Sequence, residues 1–245
     1  MFKSINKRYN WLTKVHFDKP TGFYYYTRGG NKVFIRHPRH YLPIKEDMWT
    51  CENLFFHYYL PKDGDQVVAL GAGYGEDAIF LKQKSPDVKY LGVEAQPVIY
   101  ECLANTFREL GDGFKASPYV ISNEKNIKFC SHFSYASVGN ISEGYIEIPT
   151  MAWPDFITRY NLKKIDLLKM NIEGAEKDLI ASIDDFSIIK RFIISCHDFR
   201  AENGEGDFFR TKKIVTSILK KNGYQIKNFN YGISWSDDWI YASKE

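Results

Sequence analysis

The sequence predicts an α/β fold built on a doubly wound, mostly parallel sheet that binds its ligand where the strands end. Residues 67–81 (VVALGAGYGEDAIFL) have the order of a buried strand, a glycine-rich loop and a helix. A second apolar run, residues 90–93, ends in Glu94, about twenty residues beyond the loop. The carboxyl-terminal region then has the order helix, strand, long turn and strand.

The glycine-rich loop is suited to close contact with a ligand, because glycines lack the Cβ atoms that keep a backbone away. It lacks the Lys-Ser/Thr ending of a phosphate-binding P-loop, and its glycines alternate instead of following the G-x-G-x-x-G spacing. These differences favour a ligand without phosphates. A tight turn that only joins the strand to the helix is the alternative. The candidate cofactor-binding residues of the loop are Gly71, Ala72, Gly73, Tyr74 and Gly75.

Two further segments extend the predicted cofactor site. Glu94 lies where a doubly wound fold places the carboxylate that accepts hydrogen bonds from ribose hydroxyls, and Ala95 lies beside it. After a helix that starts at Pro97, we predict the next strand of the sheet at residues 119–121. Ser122, at the end of that strand, is a candidate for contact with an adenine ring. Turn formation explains the SNEKN sequence equally well.

Polar side chains follow a strand in the second half of the chain. Residues 165–170 predict a strand that is buried apart from Asp166 and Lys169. Asn171 and Glu173 then lie at the carboxyl end of a central strand, where open α/β sheets bind ligands. Asn171 can donate and accept hydrogen bonds but cannot act as a base, whereas Glu173 can. Stabilisation of the start of the next helix is the alternative role for Glu173.

A further strand at residues 191–196 leads to His197 and Asp198 at the same edge of the sheet. Because a histidine titrates near neutral pH, His197 supported by Asp198 is our preferred general base, and Glu173 is the second candidate. A packed, hydrogen-bonded histidine is the structural alternative. The same two residues, with Asn171 and Glu173, could form an oxygen-rich site of the magnesium type. We predict no metal, because an asparagine contributes no charge to such a site.

Three stretches of the sequence resemble the FkbM-type methyltransferases, which are class I S-adenosylmethionine-dependent enzymes. They are DQVVALGAGYGEDAIFL (65–81), YLGVEAQPVIYECLANT (90–106) and IDLLKMNIEGAEKDLI (165–180), and together they span about half of the chain. In that family the first is the cofactor loop, the second contains the ribose-binding acid, and the third is the Lys-x-Asp-x-Glu-Gly-x-Glu signature. The resemblance implies S-adenosylmethionine as the cofactor and a seven-stranded, Rossmann-like sheet whose last strand is antiparallel.

Two residues depart from the family pattern. Ala69 stands where the family usually has an aspartate before the glycines, and Asn171 stands where the signature usually has an aspartate. Asn171 therefore lacks the ionisable group that an acid, a base or a metal ligand would use. We keep it as a predicted contact for the methionine portion of the cofactor or for an acceptor hydroxyl.

We divide the chain into an amino-terminal extension, residues 1–60, that packs on the core and a methyltransferase domain, residues 61–245. The extension is rich in aromatic and basic residues, and alternating patterns around Gly29-Gly30 predict a hairpin. A helix is predicted at residues 52–59. Six basic residues could form an anion-binding or substrate-capping surface, or a solvated edge: Arg28, Lys32, Arg36, His37, Arg39 and His40.

Residues 125–150 predict an antiparallel excursion, with KFC and YIEIPT as strands on either side of the polar sequence SYASVGNISEG. An insertion on the ligand side of the sheet is a place where acceptor specificity varies. The chain then ends with a predicted helix at residues 212–221 and strands at residues 224–229 and 239–243.

Length and composition fit one soluble domain. The 245 residues carry a formal net charge of +3, which is too small to argue for a nucleic-acid partner. No apolar stretch approaches the length of a membrane span, so we expect no membrane partner and a cytoplasmic protein. The four cysteines are scattered without a CxxC pair, which favours reduced thiols over disulfides or zinc ligands.

The leading functional hypothesis is O-methylation of a hydroxyl on a sugar, glycan or secondary metabolite, as the family resemblance implies. A nucleotide-dependent oxidoreductase that uses the same type of crevice is the alternative from another enzyme class. A non-enzymatic alternative is a degenerate module that binds the cofactor without turning over an acceptor, and Ala69 and Asn171 suggest it. Binding assays with S-adenosylmethionine, NAD and ATP separate these hypotheses.

Overall fold

The computed structural model describes residues 14–124, 127–130 and 145–244 and has a seven-stranded sheet at its centre. In spatial order the strands are β13 (Gln225–Asn228), β14 (Trp239–Ser243), β12 (Arg191–Ser195), β11 (Leu167–Met170), β4 (Gln66–Leu70), β5 (Lys89–Val93) and β6 (Phe114–Ser117). The strands from β12 to β6 are parallel, and β14 runs antiparallel between β12 and β13. The predicted doubly wound sheet with an antiparallel last strand is confirmed.

Helices cover both faces of this sheet. They are α1 (Ile44–Thr50), α2 (Glu76–Lys84), α3 (Pro97–Leu110), α4 (Trp153–Arg159), α5 (Glu176–Ser182), α6 (Asp198–Glu202), α7 (Lys212–Lys221) and α8 (Ser234–Asp237). Along β4, Val67 and Ala69 join the core beneath α2 and α3, whereas Val68 and Leu70 join the core beneath α4, α5 and α7. Successive side chains of a strand point to opposite faces, so a strand covered on both sides is apolar throughout.

The carboxyl ends of three neighbouring strands bring the predicted ligand-binding segments together. The backbone N–H of Gly71 donates a hydrogen bond to the carbonyl oxygen of Val93, at 2.9 Å, which ties the glycine loop to the end of β5. The N–H of Asn171 donates to the carbonyl oxygen of Leu70, also at 2.9 Å, which ties the end of β11 to the end of β4. The ligand-binding segments therefore lie at one edge of the sheet.

The described part of the amino-terminal extension forms an antiparallel sheet of β1 (His16–Asp18), β2 (Phe23–Arg28) and β3 (Asn31–Ile35), which confirms the hairpin at Gly29-Gly30. The sheet packs on α3, where the N–H of Phe34 donates to Thr106 Oγ1 at 3.0 Å. Division of the chain at residue 60 stays a prediction.

The helix predicted at residues 52–59 is wrong in position. The helical segment begins earlier, at Ile44, and ends with one π-helical turn at Cys51–Phe55. Its buried stripe consists of Asp47, Cys51 and Leu54, at the i, i+4, i+7 spacing of a helix face. Because an aspartate occupies the first of these positions, the apolar pattern did not reveal the stripe.

The strand predicted at residues 119–121 is wrong as a member of the large sheet, because β6 (Phe114–Ser117) takes that place. Residues Val120–Ile121 instead form a short strand, β7, that pairs in parallel with β10 (Thr150–Met151). The predicted excursion is confirmed as the antiparallel pair β8 (Ile127–Cys130) and β9 (Tyr145–Ile148). The sequence SYASVGNISEG lies outside the described residues.

Three cysteines, Cys51, Cys102 and Cys196, are buried free thiols. Within the described ranges, no helix is both long enough and apolar enough to cross a lipid bilayer.

Candidate functional site

A cavity of about 650 Å³ opens at the carboxyl ends of β4, β5 and β11. This volume is in the range of small-molecule sites. Most residues predicted for the site line it: Gly71, Ala72, Gly73, Tyr74, Glu94, Ala95, Asn171 and Glu173. The other predicted residues are not part of its wall: Gly75, Ser122, His197 and Asp198. Segments of the amino-terminal extension close one side of the cavity.

The three loop glycines serve different purposes, although all have positive φ angles. A Cβ atom on Gly71 would lie 2.0 Å from the carbonyl oxygen of Asn171, so this glycine allows two backbones to pack together. A Cβ atom on Gly75 would lie 2.7 Å from the ring of Phe107, so this glycine allows α3 to pack on the loop. A Cβ atom on Gly73 would meet no described atom within 4 Å. Of the three, Gly73 is therefore the one that leaves space for a ligand.

Glu94 is fixed against the glycine loop. Its Oε2 accepts a hydrogen bond from the N–H of Gly73 and its Oε1 accepts one from the N–H of Gln96, both at 3.0 Å. Burial raises the pKa of Glu94 to about 7, and these backbone hydrogen bonds oppose the rise. Each carboxylate oxygen can accept a further hydrogen bond. A ligand with two neighbouring hydroxyl groups fits this arrangement.

Ser122 has a local partner instead of a place in the cavity wall. Its Oγ accepts a hydrogen bond from the N–H of Glu124 at 3.1 Å, which is the turn contact that the sequence offered as an alternative. Neighbouring residues Tyr119 and Ile121 line the cavity.

The segment after β11 is held by a buried carboxylate that belongs to α5. Glu176 accepts hydrogen bonds from the N–H groups of Ile172, at 3.1 Å, and Gly174, at 3.0 Å. Its exposed fraction is 0%, so a place on the helix surface is excluded. Glu173, between the two donors, adopts a φ angle of +57°. Such backbone strain in a residue other than glycine is typical of functional sites.

The carboxylate of Glu173 lies between two cations. Its Oε1 is 3.4 Å from His197 Nε2, and its Oε2 accepts a hydrogen bond from Arg200 Nη1 at 2.5 Å. Burial would raise the pKa of Glu173, but these two cations outweigh it and lower the pKa below the ordinary value. Glu173 is therefore ionised at neutral pH and fixed in direction at the cavity wall.

His197 is a buried cation. Its Nδ1 lies 2.9 Å from Glu176 Oε1, and only 3% of the residue is exposed. Burial would lower the pKa of His197, but the carboxylates of Glu173 and Glu176 outweigh it and raise the pKa to about 10. A histidine that already holds a proton at neutral pH cannot accept another one. This geometry argues against His197 as the general base and favours a role in positioning Glu173.

The predicted support of His197 by Asp198 is wrong. Asp198 Oδ1 accepts hydrogen bonds from the N–H groups of Thr211, at 2.8 Å, and Lys212, at 2.9 Å, and so stabilises the start of α7. The partners of His197 come from the segment after β11, which the sequence separates from it by more than twenty residues. Within residues 14–124, 127–130 and 145–244, no group of three or more His, Cys, Asp or Glu residues is arranged to hold a metal ion.

Sequence reasoning missed a charged pair inside the cavity wall. Lys169 Nζ lies 2.9 Å from Asp77 Oδ2, and both residues are buried, which corrects the exposed position expected for Lys169. Tyr90 donates a hydrogen bond to the same carboxylate at 2.7 Å. The signal in the sequence was a lysine inside an apolar strand together with an aspartate in the first turn of the helix after the glycine loop. Asp166, also expected outside the buried pattern, is 1% exposed and pairs with Lys164 and Lys190.

Two of the six basic residues of the extension are in ion pairs, and two others line the cavity. Arg28 Nη1 lies 2.6 Å from Asp47 Oδ2, and Lys32 Nζ lies 3.1 Å from Asp18 Oδ1. Arg39 and His40 line the cavity.

His40 also contacts the glycine loop. Its Nδ1 lies 2.6 Å from the hydroxyl oxygen of Tyr74, and the two rings are stacked. Burial, with help from the positive charges of His37 and Arg36, lowers the pKa of His40. The extension thus reaches the glycine loop through a neutral imidazole.

Three solved structures are similar to this chain, all at low sequence identity. A chain of a fibrillarin/Nop5p complex has a TM-score of 0.50 and 14% sequence identity, over 95% of this chain and 97% of that chain. Precorrin-6y C5,15-methyltransferase from Geobacter metallireducens GS-15 has a TM-score of 0.47 and 11% identity, over 84% and 90% of the two chains. M. capricolum TrmK in complex with S-adenosyl-homocysteine has a TM-score of 0.43 and 11% identity, over 83% and 68%.

The sequence comparisons give the family. No curated protein matches the chain significantly. The sequence model of the FkbM methyltransferase domain matches residues 70–226, which include the glycine loop, Glu94 and the Asn171–Glu176 segment. The match covers more than half of the 245 residues and contains the cavity-lining residues that follow β4, β5 and β11. This chain therefore belongs to the FkbM methyltransferase family.

Proposed function

We propose that this protein is an S-adenosylmethionine-dependent O-methyltransferase that acts on a hydroxyl of a sugar, glycan or secondary metabolite. The observation that carries the proposal is the meeting of Glu94, Gly73 and Glu173 in one cavity of a chain from this family. Glu94 provides hydrogen-bond acceptors for ligand hydroxyls, Gly73 provides space, and Glu173 provides a fixed anion. The three buried free thiols support action in a reducing compartment, which we propose is the cytoplasm.

Three cavity residues, Glu94, Gly73 and Asn171, fit S-adenosylmethionine as the ligand. When bound, this cofactor supplies a methyl group attached to a positively charged sulfur. In our proposal Glu94 accepts hydrogen bonds from the ribose hydroxyls, and the backbone at Gly73 lies close to the ligand. Asn171, whose side-chain amide can donate and accept, contacts the methionine portion or the acceptor.

Glu173 is the residue that we assign to the acceptor hydroxyl. Its ionised carboxylate accepts a hydrogen bond from the hydroxyl and takes its proton as the oxygen becomes a nucleophile. Arg200 and His197 keep the carboxylate oriented. Because both cations lower its pKa, Glu173 is a weak base, and its main contribution is positioning.

The proposal is tested by incubating the protein with S-adenosylmethionine and a panel of acceptors, and measuring S-adenosylhomocysteine. The panel contains free sugars, oligosaccharides, phenols and matched primary amines. Turnover with hydroxyl acceptors and none with the amines supports the proposal. Turnover with amines only overturns the O-methylation assignment, and NAD(P)H-dependent hydride transfer without methyl transfer overturns the function. Cofactor binding without turnover on any acceptor would indicate the degenerate module.

Replacement of Glu94 by alanine should weaken S-adenosylmethionine binding by about 1.5–3 kcal/mol, the scale of a hydrogen bond to a charged group. Isothermal titration calorimetry measures the change. Glu101→Ala, on the exposed side of α3, is the matched control and should bind normally. Equal affinities of the Glu94→Ala variant and the wild type would remove the ribose assignment.

Replacement of Glu173 by glutamine removes both the anion that orients the acceptor hydroxyl and the group that takes its proton, so it should lower turnover by about 10²–10⁴-fold and leave cofactor affinity nearly unchanged. Glu205→Gln is the control, because Glu205 is the other carboxylate partner of Arg200 and does not line the cavity. It should retain near-normal turnover. If instead His197→Gln abolishes turnover and Glu173→Gln does not, the proton acceptor is His197.

A further inference from the structure

The cavity wall next to the amino-terminal extension contains a group of charged residues that the proposed function does not use, four of them buried and one, Glu76, half-buried. It consists of two cations and three carboxylates: Arg28, Lys169, Asp47, Glu76 and Asp77. All except Arg28 line the cavity. If all five residues are ionised, the net charge of the group is −1. An uncompensated buried charge is costly, so the wall favours a positive ligand group.

Two members of the group neutralise each other. Lys169 Nζ and Asp77 Oδ2 are 2.9 Å apart, and the hydroxyl of Tyr90 supplies a further hydrogen bond to Asp77. The ammonium group of Lys169 also lies 4.2 Å from the ring centre of Phe55, a cation–π contact. This pair is satisfied without a ligand.

The contact between Arg28 and Asp47 is incomplete. Arg28 Nη1 lies 2.6 Å from Asp47 Oδ2, but without hydrogen-bond geometry, and neither atom has a hydrogen-bond partner in the described part of the chain. Arg28 uses Nη2 to donate to the carbonyl oxygen of Leu42 at 2.8 Å. Asp47 is 2% exposed and lines the cavity, so its Oδ2 atom is a buried acceptor that is in ion-pair contact with Arg28 but accepts no hydrogen bond from a described residue.

Of the three carboxylates in this group, Glu76 is the one that forms no ion pair with a described residue. Its Oε1 accepts one hydrogen bond, from the neutral hydroxyl of Tyr26 at 3.1 Å. Burial is the main cause of the raised pKa of Glu76, and burial likewise raises the pKa of Asp47 to about 7, with a further rise from Glu76. Both carboxylates would gain from a nearby positive charge.

We propose that Asp47 and Glu76 form a subsite for a positively charged group of the methyl donor. This inference rests on the proposed function, because it takes S-adenosylmethionine as the ligand of the cavity. Glu76 directly follows Gly75, so the subsite adjoins the loop that is expected to hold the cofactor. Asp47 comes from the amino-terminal extension, which thereby becomes part of the cofactor site.

The cofactor has two positive groups, and the subsite chemistry fits either one. The α-ammonium group is present on both S-adenosylmethionine and S-adenosylhomocysteine, whereas the positive sulfur is present on S-adenosylmethionine alone. A subsite at the sulfur would bind the methyl donor more tightly than the product. A subsite at the ammonium group would bind both equally.

Isothermal titration of the full chain with both compounds tests the inference. The variants are Asp47→Asn and Glu76→Gln, each of which removes one charge and keeps the side-chain shape. Glu52→Gln, on the exposed face of the turn after α1, is the matched control for net charge. Each test variant should lower the affinity for S-adenosylmethionine by about 10-fold to 100-fold, the scale of a hydrogen bond to a charged group. The control should bind as the wild type does.

The affinities of the variants for the two compounds show which positive group the subsite binds. A loss for S-adenosylmethionine alone supports a subsite at the sulfur, and an equal loss for both compounds supports a subsite at the ammonium group. Wild-type affinity of a folded Glu76→Gln variant for both compounds overturns the subsite and leaves the proposed function intact. A wild-type protein that binds neither compound overturns the proposed function and the subsite together. Thermal unfolding of each variant is measured first, and if Asp47→Asn does not fold because Arg28 loses its partner, Glu76→Gln decides the question.

Discussion

Replacement of Gly71 by alanine should destabilise the fold, whereas replacement of Gly73 by alanine should mainly weaken cofactor binding. The methyl group at position 71 would lie 2.0 Å from the carbonyl oxygen of Asn171 and 2.9 Å from its carbonyl carbon. These atoms belong to the backbone at the end of a central strand, so they cannot move aside cheaply. With the added strain of positive φ, we expect a loss of about 2–5 kcal/mol in the free energy of unfolding.

At position 73 the same methyl group would meet no described atom, and the cost to the fold is only the positive-φ strain of about 1–2 kcal/mol. The methyl group would instead occupy space at the cavity wall, and the affinity for S-adenosylmethionine should fall about tenfold or more. Denaturant unfolding and calorimetric titration of both variants separate the two effects. A Gly73→Ala variant with normal affinity would show that the loop does not approach the cofactor.

The parts of the fold that could be predicted are those in which a single continuous segment contains the whole sequence pattern of the element. The strand before the glycine loop is apolar throughout because both of its faces are covered, and the loop and helix follow at once. The same reasoning identified Glu94 and Asn171, since each directly follows a buried central strand. Chain order alone then brings these residues to one edge of the sheet.

An outermost strand of the sheet, β6, could not be predicted in the same way. Strand β6 (Phe114–Ser117) has Lys115 exposed and Ala116 half-buried, so it shows no continuous apolar run. The neighbouring sequence at residues 119–121 is more apolar, so the apolar pattern predicts the strand there. Its side chains are used instead in the cavity wall and in the pairing of β7 with β10.

The ion pairs of the site could not be predicted for a different reason: the two partners of each pair are distant in the sequence. Arg28 lies in β2 and Asp47 in α1. Lys169 lies in β11, whereas Asp77 lies in α2. His197 followed the expected strand, yet its protonation is set by carboxylates from another segment. Sequence patterns place a residue on an element, but the pKa depends on which charges the fold brings next to it.

Replacement of Glu176 by alanine should lower the free energy of unfolding by about 3–5 kcal/mol, the scale for removing one partner of a buried ion pair. The change leaves His197 as a buried cation with Glu173 as its one remaining carboxylate contact among the described residues, and it removes the acceptor for the N–H groups of Ile172 and Gly174. Glu202→Ala, at an exposed position in α6, is the control and should change stability by less than about 0.5 kcal/mol. Urea unfolding at pH 7 measures both variants.

The pH dependence of the same measurement identifies the cause. Because folding raises the pKa of His197 from the ordinary 6.5 to about 10, the stability that its protonation provides is complete below pH 6.5 and is lost as the pH rises towards 10. The wild type should therefore lose stability across this range more steeply than the Glu176→Ala variant, and the difference between them should narrow towards pH 10. A difference that stays constant from pH 6 to pH 10 would mean that Glu176 acts through the two backbone N–H groups and not through His197.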